Sequence, residues 1–120
     1  MSRIMRTVAA VACATGAITA AGVGNAQAVD YYQGCPSGAV CIYPAGTGWN
    51  GGHPSDFYYS YGAHNLSNMN GTHRVFNNQT GGATMQTCTG WNGTGCQGYL
   101  LAFTYMDKDM TPINSIVLNP

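Results

Sequence analysis

The chain has no glutamate, a single lysine, and only four acidic and four basic residues among its 120. Without glutamate there is no glutamate pair for general acid and base catalysis, and we expect no enzyme. Two of the basic residues, Arg3 and Arg6, lie at the N-terminus, which leaves Arg74 and Lys108 for the rest of the chain. Because a nucleic-acid interface needs clustered positive charge, we expect no nucleic-acid partner.

Long hydrophobic runs are also scarce. An alanine-rich apolar run from Thr7 to about Val23 follows the two arginines and ends near Ala26-Gln27-Ala28. This pattern predicts a secretory signal peptide over residues 1–28, and a secreted, extracellular single domain over residues 29–120. The run is too short and too weakly hydrophobic for a membrane span, which needs about 20 apolar residues. We therefore expect no membrane span. We also expect the protein to be a monomer.

The cysteines offer a way to stabilise so small a domain. Cys13 lies in the predicted leader, and four cysteines remain: Cys35, Cys41, Cys88 and Cys96. An even number in a short exported chain predicts two disulfides, for which three pairings exist. We favour Cys35–Cys41 and Cys88–Cys96, because each pair lies within one local segment. Zinc binding is the alternative, but these spacings suit it poorly, and we expect no metal and no cofactor.

Short strands and turns dominate the rest of the sequence, and helix signals are nearly absent. Asn50-Gly51, Asn70-Gly71 and Asn92-Gly93 indicate tight turns, because both residue types tolerate positive φ. Short segments rich in β-branched or aromatic residues lie between turn formers. These predicted strands are Ala39–Tyr43, Phe57–Tyr61, His73–Asn77, Ala83–Cys88, Tyr99–Tyr105 and Ser115–Leu118. The pattern predicts an all-β fold, a sandwich or a small barrel.

One five-residue segment occurs twice. Thr47-Gly48-Trp49-Asn50-Gly51 recurs, with identical residues, 42 positions later as Thr89-Gly90-Trp91-Asn92-Gly93. A period near 40 residues predicts two similar units that pack together to form one core. Chance identity in a chain rich in glycine, asparagine and threonine is the alternative.

The segment Cys35–Tyr43, followed by Trp49-Asn50-Gly51-Gly52, resembles the opening of secreted actinobacterial proteins of the peptidase inhibitor I36 family. The resemblance implies a βγ-crystallin-like Greek-key β-sandwich of two motifs, about residues 35–78 and 83–118. Tyr43 and the Trp49 turn fit the motif's aromatic signature. In the second motif Cys96 stands where an aromatic residue is expected.

The resemblance also implies a function. It implies a peptidase inhibitor whose disulfide-bounded loop, Cys88–Cys96, occupies the cleft of an extracellular metalloprotease of the thermolysin type. By position, Cys88–Thr89 is the reactive bond, Gly90 follows it, and Trp91 is an apolar anchor of the kind that dominates interfaces. The alternative for the loop is a purely structural hairpin with Trp91 packed on the core.

A different class of function is a crystallin-like binding protein, or one resembling a killer toxin, that acts on a cell surface or a carbohydrate. Its sequence feature is the tyrosine-rich segment Phe57–Tyr61, to which Tyr31 and Tyr32 add. Half-buried sheet covering is the ordinary alternative for such tyrosines.

The remaining polar residues give weaker signals. His53, His64 and His73 have no evident nucleophile partner, and we expect them to be exposed. Asn70, Asp107 and Asp109 could supply oxygens to calcium. However, most acidic ligands of a calcium site are missing and Arg74 opposes a cation, so we expect lost or strongly weakened calcium binding.

Overall fold

Ten short β-strands and one 3₁₀ turn, Trp91–Gly93, make up the regular structure of residues 30–120, the part of the chain that the computed structural model describes. The predicted signal peptide and Cys13 lie outside these residues. The strands are β1 Tyr31–Tyr32, β2 Cys35–Pro36, β3 Val40–Ile42, β4 Asp56–Tyr58, β5 Gly62–Asn65, β6 Thr72–Asn77, β7 Thr84–Cys88, β8 Cys96–Leu100, β9 Thr104–Asp109 and β10 Ser115–Asn119.

Eight of the strands form two four-stranded antiparallel sheets. Sheet A has the order β9-β6-β3-β4, and sheet B has the order β5-β10-β7-β8. The four strands β3 to β6 of the first half correspond in order to β7 to β10 of the second half. When each strand is exchanged for its counterpart, the order of sheet A becomes the order of sheet B. Each half of the chain thus places its third strand at the edge of the other half's sheet. Strands β1 and β2 form a separate hairpin. The predicted all-β fold is confirmed.

The main core lies between the sheets. Side chains of a strand alternate between its two faces, so every second residue points to the core. From sheet A, Val40, Ile42 and Val75 are completely buried, and from sheet B so are Met85 and Ile116. These side chains belong to one continuous apolar cluster. Fully burying a side chain of this kind stabilises the fold by about 1.5–3 kcal/mol.

A second apolar cluster covers the outer face of sheet A, the face that points away from sheet B. Cys41 and Phe76, which alternate with the core residues, point to this face and are buried there with Cys35 and Tyr43. The β1–β2 hairpin lies over them and is tied down by the Cys35–Cys41 disulfide. The Tyr43 hydroxyl also donates a hydrogen bond to the carbonyl oxygen of Gln33, 2.8 Å away.

Two predicted strands are wrong in extent. The segment Phe57–Tyr61 contributes only Phe57 and Tyr58 to β4, and the chain then bends before β5. The segment Tyr99–Tyr105 is broken between β8 and β9, where Phe103 adopts a φ of 58°. That left-handed conformation is incompatible with a continuous strand, so the chain leaves sheet B and joins sheet A.

The Asn-Gly pair of the repeated segment adopts left-handed φ values in both copies. Asn50 and Asn92 have φ values of 50° and 58°, and Gly51 and Gly93 follow with 64° and 76°. The predicted turns at these two Asn-Gly pairs are therefore confirmed.

Candidate functional site

Both favoured disulfide pairings are present. The sulfur atoms of Cys88 and Cys96 are 2.05 Å apart, and those of Cys35 and Cys41 are 2.08 Å apart. Cys88 ends β7, and Cys96 begins β8 directly opposite in the register. The disulfide therefore closes the base of a hairpin whose loop packs against β5 and β10.

Hydrogen bonds within the loop continue the hairpin past the disulfide. The backbone nitrogen of Thr89 donates to the carbonyl oxygen of Gly95 at 3.1 Å, and that of Gly90 donates to the carbonyl oxygen of Thr94 at 2.9 Å. The Thr94 hydroxyl donates to the carbonyl oxygen of Trp91 at 2.9 Å. These bonds reduce the conformational freedom of the loop up to its tip.

The loop is also held by β10 and the residue before it. The Ser115 hydroxyl donates to the carbonyl oxygen of Gly90 at 2.7 Å and accepts a hydrogen bond from the backbone nitrogen of Gly93 at 3.0 Å. The Asn114 side-chain amide donates to the carbonyl oxygen of Thr89 at 2.8 Å. These bonds to Asn114 and Ser115 restrict the position of the loop relative to sheet B.

Two of the loop glycines permit this close packing. A Cβ atom at Gly90 would lie 2.1 Å from the Thr94 hydroxyl oxygen, and one at Gly93 would lie 2.9 Å from a methyl carbon of Val117. Gly93 also has a φ of 76°, which glycine adopts without strain. These glycines therefore allow tight contacts rather than make the loop loose.

The predicted reactive bond, Cys88–Thr89, is engaged in hydrogen bonds at both ends. The carbonyl oxygen of Cys88 accepts from the backbone nitrogen of Asn114 at 2.9 Å, and the nitrogen of Thr89 donates to Gly95. Cys88 itself is fully buried. The bond from Asn114 and the burial of Cys88 restrict access of a protease to this carbonyl, so the structure opposes rapid cleavage there.

Trp91 occupies the tip of the loop with 51% of its surface exposed. The alternative in which this side chain packs on the core is therefore wrong. Its counterpart in the repeat, Trp49, packs instead within a group of aromatic rings on the outer face of sheet A, including Tyr43 at 5.2 Å and Phe76 at 5.4 Å between centroids. The two copies share left-handed φ values at their Asn-Gly pairs, but Gly48 has a φ of 58° and Gly90 a φ of −95°, and the tryptophans occupy different environments.

The histidines differ from one another. His53 is exposed, and the Nε2 atom of the partly buried His64 lies 2.7 Å from the carbonyl oxygen of Ser60. His73 is buried, so the expectation that it is exposed is wrong. Its Nδ1 atom lies 2.7 Å from the Tyr43 carbonyl oxygen, and its Nε2 atom lies 3.0 Å from that of Asn70. This ring bridges two backbone segments.

The carboxylates considered for calcium have protein partners. Asp107 forms a bidentate ion pair with Arg74, with N–O distances of 2.8 and 2.9 Å. Asp109 accepts a hydrogen bond from the backbone nitrogen of Thr111 at 3.0 Å, and hydrogen bonding by Thr111 lowers the pKa of Asp109. Within residues 30–120 no group of three or more histidine, cysteine or acidic side chains is placed to hold a metal ion.

The tyrosine-rich segment is divided between surface and core. Phe57, Tyr59 and Tyr61 are exposed. Tyr58 packs against the His64 ring at 5.2 Å, and burial, followed by the charge of Asp56, raises the pKa of Tyr58 to about 12.

Sequence reasoning missed one cluster, which joins Arg74 and Asp107 to the rings of Trp49 and Tyr105. The only available signal was that Arg74 is the sole arginine after the predicted leader. Nothing in the sequence places Arg74 beside Trp49, about 25 positions earlier, or beside Tyr105, about 30 positions later.

Comparison with known proteins found no matching family model, no matching curated protein and no matching solved structure. Among residues 30–120 there is also no helix with the length and apolar character needed to cross a membrane. Function is therefore inferred from the geometry of the chain itself.

Proposed function

We propose that this is a secreted peptidase-inhibitor-like protein whose Cys88–Cys96 loop occupies the cleft of an extracellular metalloprotease. One observation carries the proposal most directly: the loop is fixed by the disulfide and by bonds to Asn65, Asn114 and Ser115, yet it presents a half-exposed Trp91. The resemblance of Cys35–Tyr43 to I36 inhibitors agrees with this reading.

The physical reason is pre-organisation. A loop that is already ordered loses little conformational entropy when it docks, so more of the contact energy contributes to affinity. Trp91 supplies a large, rigid apolar surface of the type found in interface hot spots. The hydrogen bonds that engage both ends of the Cys88–Thr89 bond slow hydrolysis, and a bound loop then remains intact in the cleft.

The equivalent strand orders of sheets A and B support the finer fold assignment. In each half, the first, second and fourth strands share one sheet and the third joins the other. We propose that the halves, residues 35–78 and 83–118, are the two Greek-key motifs of a βγ-crystallin-like sandwich. The two local disulfides are consistent with an extracellular protein.

The second candidate function is binding to a cell surface or a carbohydrate. The exposure of Phe57, Tyr59 and Tyr61 on and beside the edge strand β4 favours it. Exposed aromatic rings near one another provide flat apolar surface, and the tyrosine hydroxyls add polar groups.

Titration of thermolysin activity with the purified, oxidised protein tests the first candidate. We expect stoichiometric inhibition that weakens about tenfold or more in Trp91→Ala, because a buried interface tryptophan commonly contributes 2 kcal/mol or more. Tyr99→Ala is the matched control, since Tyr99 is also an exposed aromatic residue on sheet B but lies outside the loop. Absence of inhibition at micromolar protein, with retention on cell-wall or glycan material, would favour the second candidate.

A further inference from the structure

The cluster that sequence reasoning missed lies on the outer face of sheet A, beside the hairpin that covers the middle of that face. Arg74 on β6 is directly opposite Asp107 on β9, and Phe76 is directly opposite Tyr105. Residues two positions apart on a strand point to the same face, so all four side chains are on the outer face. The hairpin buries Phe76, but Tyr105 remains 49% exposed.

Arg74 is held rigidly in this cluster. Its guanidinium carbon lies 4.8 Å from the ring centroid of Trp49 and 4.3 Å from that of Tyr105. The Nε and Nη2 atoms donate to the two carboxylate oxygens of Asp107. This hydrogen bonding raises the pKa of Arg74 and lowers that of Asp107, so the pair stays ionised near neutral pH. Most of the entropy of fixing a long side chain is therefore already lost before any ligand arrives.

A groove of about 230 Å³ opens beside this pair, lined by Gly46, Gly48, Thr72, Arg74 and Asp107. A Cβ atom at Gly48 would lie 3.7 Å from Nη1 of Arg74, so a larger side chain at this position would extend toward the guanidinium. Gly48 has a φ of 58°, and the absence of a side chain keeps the groove open. Pockets for drug-sized ligands measure roughly 300–1,000 Å³, so this groove suits one small ring.

The chemistry of the groove favours a neutral, hydroxyl-rich ligand. Arg74 offers nitrogen donors, Asp107 offers acceptor oxygens, and the Thr72 hydroxyl does both. The two opposite charges compensate each other, so an anion would compete with Asp107 and a cation would be opposed by Arg74. Tyr105 is not among the residues that line the groove, and the Arg74 guanidinium covers one face of its ring at 4.3 Å.

We propose that this groove binds one neutral sugar unit of a polysaccharide, with the Arg74–Asp107 pair and the Thr72 hydroxyl on the sugar hydroxyls. The site is separate from the Cys88–Cys96 loop and from Phe57–Tyr61. It does not depend on the loop inhibiting a protease, and loss of one activity would leave the other unchanged.

The test is calorimetric titration of the purified protein with cellohexaose and with chitohexaose, and in parallel with inorganic phosphate. We expect one of the oligosaccharides to bind and phosphate not to bind. Arg74→Lys, which keeps the charge but cannot form the bidentate pair, should weaken oligosaccharide binding about tenfold, and Thr72→Val, which removes one hydroxyl at constant shape, should weaken it several-fold. Tyr99→Ala, 66% exposed on sheet B, should bind like the unaltered protein.

Melting temperatures identify any variant that fails to fold. If Arg74→Lys unfolds, Thr72→Val carries the test. The proposal is overturned if neither oligosaccharide binds at millimolar concentration, if binding persists in the groove variants, or if phosphate binds at Arg74 instead.

Discussion

Asn65 and Asn92 bond reciprocally across the two halves of the chain. The side-chain nitrogen of Asn65 donates to Oδ1 of Asn92 at 2.9 Å, and the backbone nitrogen of Asn92 donates to Oδ1 of Asn65 at 2.7 Å. Asn65 ends β5, which belongs to the first half of the chain but lies beside β10 in sheet B. Exchange of the third strand thus brings a residue of the first half to the tip of the loop in the second half.

Removing this contact should loosen the loop without unfolding the sandwich. Asn65→Ala deletes both side-chain bonds, and because Asn65 is exposed we expect a loss of only about 1 kcal/mol in the free energy of unfolding. Amide hydrogen exchange should accelerate at Asn92 and Gly93. The neighbouring exposed residue Ser67, changed to Ala, is the control and should leave exchange in the loop unchanged. Equal exchange rates in both variants would show that Asn65 does not order the loop.

A buried amide connects the end of β6 to the residue before β7 and to the end of β8. The Asn77 side-chain nitrogen donates to the carbonyl oxygens of Ala83, at 3.0 Å, and Leu100, at 2.9 Å. Asn77→Asp would place a carboxylate against those two oxygens, which cannot donate. One carboxylate oxygen would keep the two hydrogen bonds that Gln79 donates, but the other would have no donor. We therefore expect urea denaturation at pH 7 to show a loss of about 3 kcal/mol. Asn68→Asp, at an exposed position, should change stability by less than about 0.5 kcal/mol. Similar stability of the two variants would contradict this assignment.

The two disulfides should differ in their contribution to stability. They close loops of similar length, with sequence separations of 6 and 8, for which chain entropy predicts about 2–3 kcal/mol each. Cys35 and Cys41 are both fully buried, whereas Cys96 is only partly buried. Replacing the first pair by alanine therefore also creates a cavity, and guanidinium denaturation should show the larger loss for Cys35→Ala/Cys41→Ala. A larger loss for Cys88→Ala/Cys96→Ala would contradict this order.

Alkaline pH should destabilise the protein through two tyrosines. Burial raises the pKa of both Tyr43 and Tyr58 to about 12, above the ordinary value of 10.0. Because the folded state resists ionisation of these phenols, their stabilising contribution is complete below pH 10 and is lost as the pH rises from 10 toward 12. Tyr58→Phe should reduce this loss, measured as the difference in urea midpoint between pH 8 and pH 11. An unchanged pH dependence in that variant would exclude Tyr58 as a source.

Local chemistry was sufficient to predict the disulfides and two of the three Asn-Gly turns, whereas Asn70-Gly71 forms a bend in which Asn70 does not adopt positive φ. Asn50 and Asn92 adopt positive φ because asparagine followed by glycine tolerates it, and each cysteine pair closes a short segment. Strand β5 was missed because Gly62, Ala63 and Asn65 are poor strand formers. Those residues are extended because the edge of β10 offers them hydrogen-bonding partners, and that edge exists only once the sandwich has formed.

The candidate site was predicted only in part, for the same reason. The sequence identifies the loop between Cys88 and Cys96 but not the partners that fix it, since Asn65 lies 27 positions from Asn92 and Ser115 lies 25 positions from Gly90. The exposure of Trp91 and the burial of His73 likewise depend on strand order. Residue type alone gives no information on either.

The most direct test of the proposed function uses the fact that the chain contains only two tryptophans. Protein labelled with 5-fluorotryptophan should give two fluorine resonances, which Trp91→Phe assigns. On addition of one equivalent of thermolysin, we predict that the Trp91 resonance shifts and broadens while that of Trp49, on the outer face of sheet A, is unchanged. A Trp91 resonance that stays in place at saturating protease would contradict the account.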